Sequence, residues 1–135
     1  MNTYGEKFDR FIKIVEELRS ENGCPWDREQ TPASLKRYLQ EETIETIEAI
    51  NSDNHLHIKD ELGDLLYLII LIAQIHNEKD FFNIGDVVDA ITDKMIRRHP
   101  HVFENEKIET VAELREKWQE IKKRENASAI IPKKN

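Results

Sequence analysis

The sequence has 135 residues, a length that fits one domain, and 35% charged residues with only four glycines and four prolines favour helices over a turn-rich sheet. The net charge of −7 disfavours DNA or RNA as the main partner, and no apolar run approaches the roughly 20 residues that a membrane span needs. Because the single cysteine cannot close an internal disulfide and no apolar signal segment follows the first residues, we expect a cytoplasmic protein.

Two helices are predicted in the first 50 residues. Thr3 and Glu6 have the spacing of a capping box, and the apolar residues that follow recur at helical spacing. They predict a first helix that ends near Gly23. Residues 24–30 show no helical period and are predicted to form a loop. Thr31, with a proline after it, is a typical N-cap, so the second helix is predicted to run from there to about Ile50.

Three more helices are predicted after a short polar connection at 51–54. The third, over 57–77, is expected to double back antiparallel on the second and form a helical hairpin. The fourth is predicted over 84–98, where a His-Pro pair stops it, and the last follows the capping box at Thr110. The tail, residues 127–135, is predicted to be disordered.

The third helix is apolar on all sides, unlike the others. A helix of this kind must be buried all round, and four other short helices offer little surface to cover it. A second copy of the chain can supply the rest, so a homodimer or larger homo-oligomer is predicted. The predicted fold is therefore all-α, an antiparallel bundle of about five helices over residues 1–126 whose core is completed by dimerisation.

Two acids interrupt this apolar helix near its start. Glu61 and Asp64 lie at i, i+3, and isolated carboxylates in a buried setting need a cation. The same acids would also suit a solvated first helical turn, where the helix dipole favours negative charge. The sequence of this helix alone leaves both interpretations open.

The second helix carries a larger acidic group. Four glutamates share an arc of about 120°; they are Glu41, Glu42, Glu45 and Glu48. A solvated acidic face is the plain alternative, but no Lys or Arg follows at i+4, and the hairpin can bring this face beside the acids of the third helix. Oxygen ligands from two helices suit Mg²⁺, with Mn²⁺ as a substitute, and Mg²⁺ commonly binds together with substrate phosphates.

The sequence resembles the MazG family of nucleoside triphosphate pyrophosphohydrolases in four segments. They are C-P-W-D-R-E-Q-T at 24–31, E-E-x-x-E at 41–45, E-L-G-D at 61–64 and R-R-H-P-H-V-F at 97–103. The likeness runs from about residue 6 to 125 and covers one such domain, whereas many members of the family carry two. The resemblance implies an all-α fold in a tight dimer, with Mg²⁺-dependent hydrolysis of NTPs or dNTPs, modified ones included, to nucleoside monophosphate and pyrophosphate.

The resemblance also implies roles for individual residues. The implied metal ligands are Glu42, Glu45, Glu61 and Asp64. Glu41 would hold or deprotonate the attacking water. The residues implied to contact the substrate are Lys94, Arg98, Trp118 and Lys122.

These substrate contacts have plainer alternatives. Lys94 and Arg98 would also be ordinary partners of the helix dipole, and Trp118 lies on an apolar stripe that fits the core. Trp26, in the predicted loop, either covers a nucleobase or fills a gap between helices. The alternative to an enzyme is a non-catalytic helical module that binds a nucleotide or a partner protein.

Overall fold

The computed structural model describes residues 2–128. Every regular element in this part of the chain is a helix, which confirms the predicted all-α fold. The helices are α1 (Tyr4–Leu18), α2 (Pro25–Glu29), α3 (Pro32–Ser52), α4 (His55–Glu78), α5 (Ile84–Arg98), α6 (Pro100–Phe103) and α7 (Val111–Ala127). Over the same residues, none of the helices is both long and apolar enough to cross a membrane.

Helix α1 begins as predicted but ends earlier. The Thr3 hydroxyl accepts the N–H of Glu6, and the Glu6 carboxylate accepts the N–H of Thr3, which completes the capping box. The prediction of an end near Gly23 is wrong, because the Leu18 carbonyl accepts the N–H of Cys24 at 2.9 Å and the chain folds back there. An added Cβ at Gly23 would lie 2.2 Å from the Leu18 oxygen, so only glycine fits this close approach.

The predicted loop at 24–30 is wrong over most of its length, because α2 forms there. The proline at its first position suits the start of so short a helix. The Arg19 guanidinium stabilises its C-terminal end by donating to the carbonyls of residues 27, 28 and 30 at 2.6 to 3.1 Å. The buried Asp27 carboxylate accepts a hydrogen bond from the Tyr67 hydroxyl, which ties α2 to α4.

The chain divides into two compact units, Met1–Gly85 and Asp86–Asn135. In the first unit α3 and α4 pack along each other and are joined by Asp53 and Asn54 alone, so the predicted hairpin is confirmed. Helix α4 also packs against α1. The buried core of this unit consists of Val15, Leu35, Leu68, Ile70, Leu71 and Ile75.

A buried carboxylate joins α5 and α7 within the second unit. Glu125 is 2% exposed and accepts hydrogen bonds from Arg97 Nε at 2.7 Å and from Arg98 Nη2 at 2.8 Å. The hydrogen bond from Arg98, followed by that from Arg97, holds the pKa of Glu125 below its ordinary value despite burial. The two arginines therefore supply the counter-charge that a buried carboxylate needs.

The other boundaries in this unit follow the predictions closely. Helix α5 ends at Arg98, and the proline two residues later opens α6. The Thr110 hydroxyl caps α7 by accepting the N–H of Glu113. Helix α7 continues to Ala127, and residues 129–135 of the tail predicted to be disordered lie outside the described residues.

Candidate functional site

The α3–α4 hairpin brings together three of the predicted metal ligands. Glu42 and Glu45 lie nearly one turn apart on α3, and Glu61 lies in the N-terminal half of α4. Each offers a carboxylate oxygen, and the three oxygens lie within 4.8 Å of one another. Ligand oxygens of one octahedral Mg²⁺ are about 3 to 4 Å apart, so small side-chain shifts would bring all three onto one cation.

Glu61 also belongs to a second group of acids. Its carboxylate lies with those of Asp60 and Asp64, again with one oxygen of each within 4.8 Å of the other two. Asp64, predicted to share a cation with the α3 glutamates, is therefore in this second group. Sequence reasoning missed Asp60, although its i, i+4 spacing from Asp64 places both acids on one side of α4.

Burial and mutual repulsion both act on these acids. Burial, followed by the proximity of the Glu61 carboxylate and the charge of Glu45, raises the pKa of Glu42 from 4.5 to about 7. Burial also raises the pKa of Asp64, with smaller contributions from its acidic neighbours. Among the described residues, the Oε2 atoms of Glu42 and Glu61 are buried without a hydrogen-bond partner. These two oxygens have no donor within residues 2–128, and a divalent cation fits them.

A histidine adjoins this cluster on α4. His57 Nε2 lies 3.2 Å from Glu61 Oε1, so this oxygen has a partner while Oε2 has none among the described residues. Sequence reasoning missed His57, although it precedes Glu61 by four residues, the spacing at which helical side chains meet. Glu41 and Glu48 are exposed and lie outside both groups of oxygens. The role implied for Glu41 stays a prediction.

Glu42 should make the stability of the metal-free protein depend on pH. The folded state favours the protonated carboxyl, so the contribution of Glu42 to the free energy of unfolding is fully present below pH 4.5 and is lost as the pH rises through about 7. The raised pKa is worth at most about 3 kcal/mol. We expect Glu42→Gln to raise the melting temperature at pH 8 in EDTA by several degrees, with little change at pH 4.5.

Calorimetry in EDTA across this pH range measures the effect. The matched control is Glu48→Gln, which removes an exposed carboxylate on the same helix and should leave the pH dependence as in the parent chain. If the Glu42→Gln protein lost stability with rising pH as steeply as the parent chain, Glu42 would not be the group responsible.

The predicted substrate contacts on α5 and α7 lie in the second unit. Arg98 is held by Glu125, and its Nε is buried without a hydrogen-bond partner among the described residues. Trp118 donates its indole N–H to the Arg98 carbonyl at 2.6 Å, so the structure brings these two predicted residues together. Lys94 is partly buried one turn before Arg98, and Lys122 is exposed.

Trp26, the remaining predicted contact, belongs to α2 in the first unit. Its ring packs edge-on against Tyr38, with 5.3 Å between the ring centroids, and 39% of the residue is exposed. Both rings line an open groove of about 660 Å³ together with polar side chains of α2 and α3. Trp26 therefore fills space between the two helices and also presents part of its ring to solvent.

The chain matches the family model of the MazG nucleotide pyrophosphohydrolase domain over residues 30–103. Among curated proteins it is 43% identical over 122 residues to the nucleoside triphosphate pyrophosphohydrolase of Escherichia coli strain K12. The aligned segment covers 90% of this chain and 46% of that protein. It is 50% identical over 103 residues to the nucleoside triphosphate pyrophosphohydrolase/pyrophosphatase MazG of Thermotoga maritima, covering 76% of this chain and 40% of that protein. The chain thus spans less than half the length of these relatives.

A solved structure resembles the fold as well. The crystal structure of a mazG-related protein from Thermotoga maritima superimposes with a TM-score of 0.70 and 29% sequence identity, covering 85% of this chain and 98% of that one. The segment matched by the family model contains α3 and α4, and with them both groups of acids.

Proposed function

The chain belongs to the MazG nucleotide pyrophosphohydrolase family, and from this membership we propose that it hydrolyses nucleoside triphosphates to nucleoside monophosphate and pyrophosphate with the help of Mg²⁺. The observation that carries the proposal is a pair of buried oxygens in the acidic cluster, Glu42 Oε2 and Glu61 Oε2, for which the described part of the chain offers no hydrogen-bond partner. Buried carboxylates are tolerated where a cation satisfies them, and Mg²⁺ characteristically joins carboxylates to phosphates.

The reaction adds water across the anhydride between the α- and β-phosphoryl groups, so one P–O bond forms, one breaks and a proton is released. When bound, Mg²⁺, or Mn²⁺ in its place, would neutralise phosphate charge and lower the pKa of the attacking water. The residues that would hold it are Glu42, Glu45, Glu61 and Asp64. Two packed helices keep these carboxylates in place before substrate arrives, which removes the cost of gathering them during the reaction.

Basic residues of the second unit would act on the leaving group. Lys94 and Arg98 lie one turn apart on α5, a spacing at which two cations reach neighbouring phosphate oxygens. We propose that they stabilise the negative charge that develops on pyrophosphate. Trp118 and Lys122, with Trp26, are proposed to contact the nucleoside.

Glu41 is proposed to position or deprotonate the attacking water. It adjoins the ligand Glu42 along the chain, yet it is exposed and outside both groups of oxygens. General-base removal acts mainly on the transition state. We therefore expect Glu41→Gln to lower kcat about 10²-fold or more while metal affinity stays within about twofold. Glu45→Gln should lower kcat and also weaken metal binding.

Stopped-flow or discontinuous assays give kcat, and calorimetric Mn²⁺ titration gives the affinity. Glu48→Gln serves again as the control and should match the parent chain in both measurements. A Glu41→Gln protein that no longer binds Mn²⁺ would assign Glu41 to the ligands instead.

The activity itself is tested by incubating the purified protein with Mg²⁺ and each of the common NTPs and dNTPs, followed by separation of the products. Nucleoside monophosphate and pyrophosphate support the proposal, and EDTA should abolish their release. Nucleoside diphosphate and orthophosphate would overturn it. Metal binding without turnover of any common or modified nucleotide would favour the non-catalytic binding module.

We also propose that the chain forms a homodimer or larger homo-oligomer through exposed apolar residues of the hairpin. The segment of α4 from Ile70 to Ile75 is largely buried within the chain itself, so the predicted need for a partner is restricted to the part of the helix before it. There Leu62, Leu66 and Ile69, spaced i, i+4, i+7, are 40 to 51% exposed. Three isoleucines of α3 are similarly exposed: Ile44, Ile47 and Ile50. Clustered apolar exposure of this kind is typical of protein interfaces.

A further inference from the structure

We propose that Glu125 is a positioning residue for nucleotide hydrolysis, which holds the Arg98 guanidinium in the orientation that meets the phosphates of the substrate. The inference deepens the proposed function and rests on it, because Arg98 is assigned there to the pyrophosphate leaving group. Glu125 itself contacts no substrate and acts through Arg98. The sequence motifs did not single it out.

The contact between Glu125 and Arg98 leaves part of the guanidinium available to a ligand. Glu125 Oε1 accepts a hydrogen bond from Arg98 Nη2 at 2.8 Å, while Oε2 accepts one from Arg97 Nε at 2.7 Å. A guanidinium has N–H donors on all three of its nitrogens. Arg98 Nε is buried without a hydrogen-bond partner among residues 2–128. A buried donor without an acceptor is costly, and an oxygen of a bound phosphate would relieve that cost.

Helix α7 also fixes the backbone from which the Arg98 side chain extends. Arg98 is the last residue of α5, where a carbonyl has no partner within its own helix. Trp118 of α7 donates its indole N–H to this carbonyl at 2.6 Å. Trp118 and Glu125 are seven residues apart, close to two helical turns, so both lie on one side of α7. This side of α7 therefore holds Arg98 at its carbonyl and at its guanidinium.

The charges of this group suit an anionic ligand. Glu125 is 2% exposed, and its lowered pKa keeps it ionised at neutral pH. Two guanidinium charges against one carboxylate leave one positive charge over. The side chains of Arg97 and Arg98 are 29% and 22% exposed, so this charge can attract a phosphate from solvent. Glu125 thus orders the two arginines without cancelling their attraction for an anion.

A purely structural ion pair is the alternative explanation for Glu125. Buried ion pairs often add little stability, because the cost of taking the charges out of water offsets their attraction. The two explanations differ in what they predict when Arg98 is absent. A structural residue would still be needed for activity in such a chain, whereas a positioning residue would have nothing left to position.

A double-mutant cycle in kcat tests the inference, with Glu125→Gln, Arg98→Ala and the two combined. We expect Glu125→Gln to lower kcat roughly 10- to 100-fold and leave KM within about threefold, because the contact with the leaving group strengthens in the transition state. In the Arg98→Ala chain the same substitution should lower kcat less than about threefold. The matched control is Glu106→Gln, which removes the partner of Lys117 on α7 and should leave kcat as in the parent chain.

A second variant makes the test independent of how well Glu125→Gln folds. Glu125→Asp keeps the negative charge, but its side chain is one methylene shorter and no longer reaches Arg98. We expect it to lower kcat about tenfold in the parent chain and less than about threefold in the Arg98→Ala chain. Circular dichroism and the melting temperature of each variant confirm that the helical fold is retained.

The outcomes separate this inference from the proposed function. Equal losses of kcat with and without Arg98 would overturn the inference and make Glu125 a structural residue. A parent chain that hydrolyses no nucleotide would refute the proposed function instead. Calorimetric titration of the four proteins of the first cycle with pyrophosphate and Mg²⁺ then decides the inference. Glu125→Gln should weaken pyrophosphate binding about tenfold, and only where Arg98 is present. Equal affinities of the parent chain and Glu125→Gln would overturn it.

Discussion

Glu61→Gln should lower nucleotide turnover by roughly 10³-fold, about 4 kcal/mol of transition-state stabilisation, while the helical fold remains intact. Glu61 belongs to both groups of oxygens, and its buried Oε2 has no hydrogen-bond partner among residues 2–128, so no neighbouring acid can replace it. Asp64→Asn should cost less, about 10²-fold, because Asp64 is exposed and belongs to one group only. Neither change should lower the melting temperature in EDTA, since each removes a charge from a repulsive cluster.

Single-turnover kinetics at limiting and saturating Mg²⁺ measure the loss of nucleotide turnover. The measured product is pyrophosphate. Excess Mg²⁺ should restore part of the activity of Asp64→Asn and none of that of Glu61→Gln. Near-normal turnover of either variant at limiting Mg²⁺ would remove that residue from the site. The Glu48→Gln protein controls for the loss of one negative charge on the hairpin.

Two substitutions on α4 that lie two residues apart should have opposite consequences. Ile69 is 42% exposed, and Leu71 is fully buried in the core of the chain. We expect Ile69→Glu to dissociate the oligomer and leave a folded monomer, because its new charge faces solvent in the separated chain. Leu71→Glu should unfold the chain, because an unpaired buried charge costs on the order of 4 kcal/mol or more.

Light scattering at low micromolar concentration gives the mass, and circular dichroism gives the helical content. The parent chain should exceed its monomer mass of 16.0 kDa at least twofold, whereas Ile69→Glu should equal it. Leu56→Glu is a suitable control, because Leu56 is 73% exposed and lies outside the Leu62, Leu66 and Ile69 stripe. A monomeric parent chain, well folded at this concentration, would end the proposal of an oligomer.

Local signals in the sequence were sufficient for most of the helices. Thr3, Thr31 and Thr110 each cap a helix as predicted, and the short polar connection produces the α3–α4 hairpin. Caps and helical period are encoded within a few consecutive residues, so they can be read without knowledge of the fold. The acids Glu42, Glu45 and Glu61 were found the same way, because family motifs are also local in sequence.

Only the tertiary structure decided how these parts combine. The carbonyls at the end of α2 accept hydrogen bonds from Arg19, which follows α1, and Glu125 meets Arg97 across 28 residues of sequence. The meeting of Glu42 and Glu45 with Glu61 likewise needed the packed hairpin, whereas the contact of His57 with Glu61 lies within α4 alone. The physical reason is that burial and charge repulsion depend on neighbours from other helices. Glu42 shows this: its carboxylate would be solvated on an isolated helix, and its pKa is raised where burial and the acids of α4 add to the charge of Glu45.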